Sequence, residues 1–335
     1  MRFILVGDPH VSPNNIEDAQ KLVDYAADLA SDHKATLLFL GDLHHNHAVM
    51  HLKVHAFWTR FFWNLEERDE PIKTIALVGN HDMAGDGSNT WTNSLMAHKG
   101  WHEDPDRLII CDTPFVGGGI LFIPYVKDNA EFVKICNLYK TRVVFCHATF
   151  DGAAYENGFF AKDGIDQNLI PQKLVISGHI HRSGRYGKVW YPGSPRWLTL
   201  SDANQDKAIW YIEFDENYNL INTIAYPTEN VCRKIYHLED RESSPISDCL
   251  DPNHTYHIDI YGSPAWIEQR TPTFKAQGAK IRTFKDQIKQ IRVKESDGVD
   301  TAFQKWVSNY QPNYGSSPQE LNELVKERLN GPKEK

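Results

Sequence analysis

The segment TIALVGNHD at residues 74–82 joins an apolar run, typical of a buried strand, to a polar cluster that begins at Gly79. The same arrangement recurs along the first two thirds of the chain. Apolar runs also precede the clusters Asp8-Pro9-His10, Gly41-Asp42, Cys146-His147 and Gly178-His179-Ile180-His181. Because ligands of α/β sheets collect where strands end in loops at their carboxyl ends, we expect the five clusters to converge.

The polar side chains of these clusters are of the types that bind divalent metal ions. They are Asp8, His10, Asp42, Asn80, His147, His179 and His181. Two ions that share a bridging carboxylate need about this many carboxylate, imidazole and amide ligands, and they need no thiolate. A single Asp or His after a strand is more often a helix cap or a buried hydrogen-bonded residue. Five clusters in one register at strand ends predict a site for two metal ions.

Length, charge and cysteine content narrow the class of protein. A chain of 335 residues exceeds what one core usually supports, so we expect a main domain with a smaller appended one. The net charge of -8 argues against bulk electrostatic binding of nucleic acid, although two bound ions would bring positive charge to the cleft. Five cysteines without a C-x-x-C pair favour a reduced, cytoplasmic protein. Since the sequence shows neither a signal peptide nor an apolar span, we expect no membrane contact.

Helical periodicity separates the predicted strands. Leu22, Tyr25, Ala26 and Leu29 recur at helical spacing, and an aromatic stripe from Val54 to Leu65 follows Asp42. Further short strands are predicted at residues 108–111, 119–124, 189–191, 208–214 and 219–225. The sequence therefore predicts an α/β fold, a β-sandwich flanked by helices.

The strand and helix alternation ends near residues 227–233, where we expect a domain boundary. We predict a main domain at residues 1–230, a small α+β cap domain at 231–297 and a C-terminal helical pair at 298–335. The two amphipathic helices of the pair either fold back on their own domain or dock on a partner helix.

Within the cap, the apolar pattern gives one clear strand and one ambiguous segment. Alternation at residues 254–260 predicts a half-buried strand. Phe284, Ile288 and Ile291 fit a helix, although residues 291–293 could equally form a strand.

The order of the clusters, Asp-x-His, Gly-Asp, Gly-Asn-His-Asp, His and Gly-His-x-His, resembles that of the calcineurin-like metallophosphoesterase superfamily over roughly residues 1–225. The resemblance implies the metallophosphoesterase sandwich and a phosphoester hydrolase with two metal sites. One site would be formed by Asp8, His10, Asp42 and His181. The other would be formed by Asp42, Asn80, His147 and His179. Asp42 would bridge the ions, which would ionise a shared water for in-line attack on phosphorus.

The resemblance also implies catalytic roles outside the ligand set. His81 would contact the phosphate and stabilise or protonate the leaving oxygen, and Asp82 would orient His81. Within the superfamily the chain looks most like nuclease subunits of the SbcD type, found in cellular repair complexes and in bacteriophages. In that family a second active-site histidine stands where this sequence has His45.

Two other features carry the likeness to the SbcD type: the turn Tyr191-Pro192-Gly193-Ser194 and the plan of a cap followed by two helices. The likeness implies a manganese-dependent DNA exonuclease and endonuclease whose helical tail grips an SbcC-type coiled-coil ABC ATPase, and it leaves room for a homodimer. His44 departs from the family, which has an aromatic or apolar residue there.

Two other classes of function stay open. One is a cyclic-nucleotide or other small-molecule phosphodiesterase of the same superfamily, and the other is a metal-bearing scaffold for the ATPase. A protein serine/threonine phosphatase is disfavoured because Asp82, rather than Glu, follows His81 and no Arg precedes Gly79.

Two further patterns favour structural roles. His47, His51 and His55 recur at helical spacing and favour a solvated or cleft-lining helix face over a metal site. The glycines at residues 117–119 predict a hairpin turn and not a phosphate loop.

Overall fold

The structure is a computed structural model that describes residues 1–85, 92–100 and 106–285. The strands of this part of the chain are β1 (Arg2–Val6), β2 (Thr36–Phe39), β3 (Thr74–Leu77), β4 (Leu108–Cys111), β5 (Phe115–Gly117), β6 (Ile120–Ile123), β7 (Val143–His147), β8 (Leu174–Gly178), β9 (Gly184–Tyr186), β10 (Val189–Tyr191), β11 (Ala208–Phe214), β12 (Leu220–Pro227), β13 (Ile235–Arg241), β14 (Thr255–Gly262) and β15 (Lys280–Lys285). The α-helices are α1 (Ile16–His33), α2 (Leu52–Glu66), α3 (Asn129–Tyr139) and α4 (Pro264–Ala276).

The first sheet has the strand order β12-β11-β1-β2-β3-β4. Its strands β1 to β4 are parallel neighbours, whereas β11 pairs antiparallel with β1. One face of this sheet is covered by α1 and α2, which bury Leu22 and Trp58 in the same core cluster as Phe39. The rings of Phe39 and Trp58 meet edge to face with centroids 5.5 Å apart. The predicted helical periodicity and aromatic stripe are thus confirmed as core.

The second sheet has the order β5-β6-β7-β8-β10-β9, and β6, β7, β8 and β10 are parallel in it. An apolar layer that includes Phe3, Phe122 and Phe145 lies between the two sheets. The centroids of Phe3 and Phe145 are 5.2 Å apart. Burial of this layer favours packing of the two sheets face to face, so the predicted β-sandwich flanked by helices is confirmed.

The register of the strands brings the polar clusters to one edge of the sandwich. The parallel strands β1, β2 and β3 end at Val6, Phe39 and Leu77, and in the second sheet His147 pairs with Gly178 at the ends of β7 and β8. Backbone hydrogen bonds join the following loops, since the His10 N–H donates to the Asp42 carbonyl oxygen over 2.9 Å. The fold therefore gathers loops that are distant in sequence.

The third sheet is separate from the sandwich and has the parallel order β13-β14-β15. Ile258 and Ile260 of β14 and Phe274 of α4 form its small core. A buried ion pair joins Arg270 of α4 to Asp240 of β13, with Nε and Oδ2 2.8 Å apart. These elements match the predicted α+β cap in content, and the domain boundaries stay a prediction.

Two predictions of local structure were wrong. Phe284 lies in β15, where its backbone pairs with Tyr261 and the two rings stack 4.6 Å apart, so sheet pairing overrides the weak helical spacing. The predicted helical residues Ile288 and Ile291 and the tail at 298–335 lie outside the described residues.

The second error concerns the histidines after Asp42. Helix α2 begins at Leu52, so only His55 is helical, and its ring stacks on His98 at 5.0 Å. The chain before α2 is not helical. It is bonded instead to the loop after β3, because the Ala48 N–H donates to the Met83 carbonyl oxygen over 3.4 Å.

The predicted turn at residues 117–119 is confirmed, because β5 and β6 form an antiparallel hairpin with Gly118 and Gly119 at positive φ. None of the helices in the described part of the chain combines the length and hydrophobicity needed to cross a bilayer.

Candidate metal centre

The Asp42 carboxylate lies between two groups of nitrogen and oxygen ligands. Its Oδ2 is 3.5 Å from His10 Nε2, and its Oδ1 is 3.4 Å from His147 Nε2. Asp42 is almost fully buried near the start of the loop that follows β2. A carboxylate that faces a different imidazole with each oxygen has the arrangement required to bridge two cations.

The first ligand group surrounds His10. Nε2 of His10 lies 3.0 Å from Nε2 of His181. Ligand atoms of His10, Asp42 and His81 also lie within 4.8 Å of one another. Sequence analysis placed His181 in this group and left His81 outside it, so the structure brings one more imidazole to this side of Asp42.

The second ligand group surrounds Asn80. Its Oδ1 is 2.9 Å from His147 Nε2 and 2.8 Å from His179 Nδ1. The two imidazole nitrogens are 3.1 Å apart, and ligand atoms of Asp42, His147 and His179 lie within 4.8 Å of one another. Nδ1 of His147 is 2.8 Å from the Leu40 carbonyl oxygen, and a proton donated there leaves Nε2 as the ring nitrogen that faces the centre.

Asp8 provides a test of whether a cation fits these residues. Its Oδ1 accepts a hydrogen bond of 2.8 Å from the His179 N–H. Its Oδ2 is buried and has no hydrogen-bond partner among the described residues. A buried carboxylate oxygen without a partner is costly, and a bound cation would satisfy it. The mixed carboxylate, amide and imidazole set suits manganese, iron, cobalt or zinc.

Burial and mutual charge shift the pKa values of the ligands. Burial raises the pKa of Asp8. Burial alone would also raise the pKa of Asp42, but the charge and hydrogen bond of His147 hold it well below its usual value. Burial and the nearby charge of His147 lower the pKa of His179 to about 3, and burial lowers that of His10 well below its usual value. The neutral imidazoles of His10 and His179 therefore keep lone pairs available for a cation.

The backbone at the centre is strained at three predicted ligands. His10, Asp42 and His179 have φ values of 44°, 51° and 81°, which residues with a Cβ adopt rarely. Such conformations cost on the order of 1–3 kcal/mol each and persist where function requires them. Two glycines provide the space that this packing needs. A Cβ on Gly41 would overlap the His147 ring, and one on Gly79 would overlap the Asp42 carboxylate.

Comparison with known proteins agrees with this geometry. The family described as calcineurin-like phosphoesterase matches residues 1–183, more than half of the chain. The chain belongs to the calcineurin-like phosphoesterase family. It is thus a phosphoester hydrolase by family, and divalent ions bound at such a centre lower the pKa of a bound water and neutralise charge on the phosphate.

No curated protein matches this calcineurin-like phosphoesterase in sequence. A hypothetical protein from Thermus thermophilus is 12% identical, with a TM-score of 0.38 over 68% of this chain and 98% of its own. A 5'-nucleotidase precursor from the same organism is 11% identical, with a TM-score of 0.36 over 69% of this chain and 55% of its own.

Asp82 has a different place in this phosphoesterase from the one we expected. Its carboxylate accepts hydrogen bonds from the backbone N–H groups of His44 and Gly79 at 2.9 and 3.0 Å, and from that of Leu43 at 3.2 Å. These bonds give Asp82 a structural role, and its orienting of His81 stays a prediction. Because these buried N–H groups need an acceptor, the carboxylate turns inward and joins the loop after β2 to the loop after β3. The unexpected His44 belongs to this network, with Nδ1 3.2 Å from Asp82 Oδ1.

Three histidines line the outer side of the centre. His81 lies with its Nδ1 2.6 Å from the His45 carbonyl oxygen and its ring centroid 4.6 Å from that of His10. The His45 ring is 5.5 Å from the His10 ring, and burial lowers its pKa. The structure thus brings His81 and His45 to the ligands, and their catalytic roles stay predictions. His47, which the sequence placed on a solvated or cleft-lining face, also lies here, with its ring 3.8 Å from that of His81.

Two buried cations that sequence analysis missed support the ligand loops. Arg196 donates from Nε to the Pro9 carbonyl oxygen at 2.8 Å and from Nη2 to that of His10 at 2.7 Å. Lys207 donates from Nζ to the His181 carbonyl oxygen at 2.9 Å and to Asp202 Oδ1 at 2.6 Å. No local motif marks these residues. The only signal in the sequence is that Arg196 closely follows the turn at residues 191–194.

Proposed function

We propose that this phosphoesterase is a metal-dependent DNA nuclease, with double-strand exonuclease and single-strand endonuclease activity. The observation that carries phosphodiester hydrolysis is the Asp42 carboxylate, which faces His10 with one oxygen and His147 with the other. Two cations held by these residues would polarise a phosphoryl group and supply a hydroxide near neutral pH. We further propose manganese as the metal, with Asp8, Asn80, His179 and His181 completing the two ligand sets.

Features shared with the SbcD type favour DNA over a small ester. The turn that follows β10 packs on the centre, because the Ser194 N–H donates to the His181 carbonyl oxygen over 3.1 Å. Gly7 and Gly193 approach so closely that a Cβ on Gly7 would overlap the Gly193 carbonyl. Tyr191 supports the loop after β7, since its hydroxyl accepts from the Phe150 N–H at 2.9 Å. The turn at residues 191–194 therefore packs against loops that carry predicted ligands.

Within this proposal the outer histidines act on the substrate. His81 stabilises or protonates the leaving oxygen, and His45 contacts the DNA backbone beside it. The burial that lowers the pKa of His45 favours its neutral form, which can donate or accept a hydrogen bond.

The proposal extends to organisation and partners. Residues 1–230 form the nuclease domain, 231–297 the cap, and 298–335 the helices that bind an SbcC-type coiled-coil ATPase in the cytoplasm. A homodimer implied by the same likeness stays a prediction. Deletion of residues 301–335 is expected to abolish co-purification with such an ATPase, and unchanged co-purification would contradict the docking role.

A substrate panel tests the nuclease function. The purified chain with Mn²⁺ is incubated with end-labelled duplex DNA, circular single-stranded DNA, a cyclic nucleotide and bis-p-nitrophenyl phosphate. We expect cleavage of both DNA substrates, and a loss of more than about a hundredfold in Asp42→Asn. Asp28→Asn is the matched control, because Asp28 is exposed and pairs with Arg68.

Three outcomes would contradict the nuclease function. Hydrolysis of the aryl ester or the cyclic nucleotide without DNA cleavage would identify a small-molecule phosphodiesterase. Full activity of Asp42→Asn would exclude the centre as the site of hydrolysis. Absence of any hydrolysis together with retained ATPase binding would favour a scaffold.

A further inference from the structure

A short hairpin at residues 153–161, termed here the aromatic hairpin, follows β7 and stands beside the metal centre. The Tyr155 N–H donates to the Phe159 carbonyl oxygen at 2.8 Å, and the Ala161 N–H donates to that of Ala153 at 2.9 Å. The turn is closed by the Gly158 N–H, which donates to the Tyr155 carbonyl oxygen at 3.0 Å. These bonds give the hairpin a defined conformation.

The aromatic hairpin holds two phenyl rings in solvent on a buried base. Phe159 is 72% exposed and Phe160 61% exposed, whereas Ala153 and Ala161 at the base belong to a buried core cluster. Adjacent exposed rings forgo the stabilisation that burial of a phenyl group provides. Exposed apolar surface on a well-anchored element indicates a binding surface.

Glu156 connects the tip of the hairpin to the metal centre. Its Oε1 accepts a hydrogen bond of 2.6 Å from the backbone N–H of His181 and lies 3.9 Å from His181 Nδ1. The hairpin also begins shortly after His147, another predicted ligand. The hairpin that carries the two rings is therefore fixed to the loop of His181, a predicted ligand.

Two cationic residues are close in sequence to the hairpin and to a predicted ligand. Arg182 directly follows His181, Lys162 follows the hairpin, and both side chains are exposed. Within residues 1–85, 92–100 and 106–285 neither side chain makes a hydrogen bond or an ion pair. A phosphodiester backbone that reaches the centre would meet these free positive charges, while its bases would face the rings.

We propose that the aromatic hairpin stacks on nucleobases of an unpaired strand whose phosphate occupies the metal centre. The inference rests on the proposed nuclease function and specifies its substrate as DNA with exposed bases. Every base presents a π face, so stacking binds a strand without regard to sequence. In a chain with a net charge of -8, stacking provides affinity that bulk electrostatics does not.

The test compares Phe159→Ala/Phe160→Ala with the wild-type chain on three substrates in Mn²⁺. These are a single-stranded oligonucleotide, an abasic strand of equal length and bis-p-nitrophenyl phosphate. We expect kcat/KM to fall at least tenfold on the oligonucleotide and to stay unchanged on the other two. Tyr at both positions should restore activity, whereas Leu should not, because only aromatic rings stack on bases. Leu138→Ala is the control, since Leu138 on α3 is also 72% exposed.

Several results would overturn the proposal. Equal kcat/KM of the wild-type chain and the double Ala variant on the oligonucleotide would exclude stacking. A parallel loss on bis-p-nitrophenyl phosphate would make the hairpin a support of the metal centre. Loss of ATPase co-purification with intact cleavage would assign the rings to a protein partner. Failure of the nuclease function itself gives a different result: the wild-type chain hydrolyses the aryl ester but cuts no DNA. The stacking proposal fails in that case too.

Discussion

Nη2 of Arg196 donates a hydrogen bond of 2.7 Å to the carbonyl oxygen of His10, a residue 186 positions earlier in the chain. Burial lowers the pKa of Arg196 to about 10, so the guanidinium stays charged at neutral pH. The bond holds His10 at its φ of 44°. Arg196 is therefore a positioning residue for a predicted ligand.

Replacement of Arg196 is expected to weaken metal binding without removing a ligand. In Arg196→Gln the Mn²⁺ affinity should fall about 10- to 100-fold, as for other residues that orient metal ligands. Calorimetric titration with Mn²⁺ measures this directly. Arg68→Gln is the control, because Arg68 forms an exposed pair with Asp28. Unchanged Mn²⁺ affinity in Arg196→Gln would show that the ligand loop holds its conformation alone.

Gly79→Ala is expected to impair metal binding and stability together. The added Cβ would overlap the Asp42 carboxylate, so either the loop or Asp42 must move. Gly278→Ala is a demanding control, since Gly278 has a φ of 80° but its Cβ would have open space. We expect thermal unfolding of Gly79→Ala to be insensitive to Mn²⁺, whereas Gly278→Ala keeps the wild-type response. An Mn²⁺-stabilised Gly79→Ala chain would contradict the proposed packing.

Asp82→Asn is expected to lower the free energy of unfolding by about 2–4 kcal/mol. The physical reason is that a carboxylate accepting several buried N–H bonds is replaced by an amide, which accepts fewer, and bonds to a charged group contribute about 1.5–3 kcal/mol each. Urea unfolding of Asp82→Asn and His81→Asn separates a structural role of Asp82 from a catalytic role through His81, since His81 makes no comparable set of bonds. Wild-type stability of Asp82→Asn combined with reduced turnover would contradict the structural role and favour the prediction that Asp82 acts through His81.

Protonation of Asp259 in acid is expected to lower the stability of the cap. The hydrogen bond from Arg282 is the main cause that lowers the pKa of Asp259, and His237 Nε2 lies 2.9 Å from Oδ2. A folded pKa below the unfolded value of about 4 stabilises the protein at higher pH, and this contribution disappears as pH falls through the folded value. Urea unfolding should separate wild type from Asp259→Asn at neutral pH, and the difference should shrink as the pH falls below about 4. A constant difference between the two proteins would contradict the assignment.

The strands could be predicted from the sequence where burial dominates. Parallel strands covered on both faces read as apolar runs, which is why β1, β2, β3, β7 and β8 were found at the apolar runs that lead into the five clusters. The convergence of Asp8, Asp42 and His179 followed from strand polarity alone. Local pattern failed where long-range contacts decide the structure, as for Phe284, whose backbone pairs with Tyr261.

The residues that support the ligand loops could not be predicted from the sequence, for a similar reason. Arg196 and Lys207 bind carbonyl oxygens, which carry no sequence signature, and their positions depend on the assembled sandwich. Asp82 was found by its motif, but its role depends on which buried N–H groups the neighbouring loop presents. Motif order thus predicts the ligands, while the groups that orient them require the fold.

The most direct test of the central claim is anomalous diffraction from crystals of the chain soaked in Mn²⁺. Two peaks are expected, one on either side of the Asp42 carboxylate, separated by about 3.5–4 Å. One should lie near His10 and His181, and the other near Asn80, His147 and His179. A single peak, or two peaks that Asp42 does not bridge, would contradict a two-metal centre.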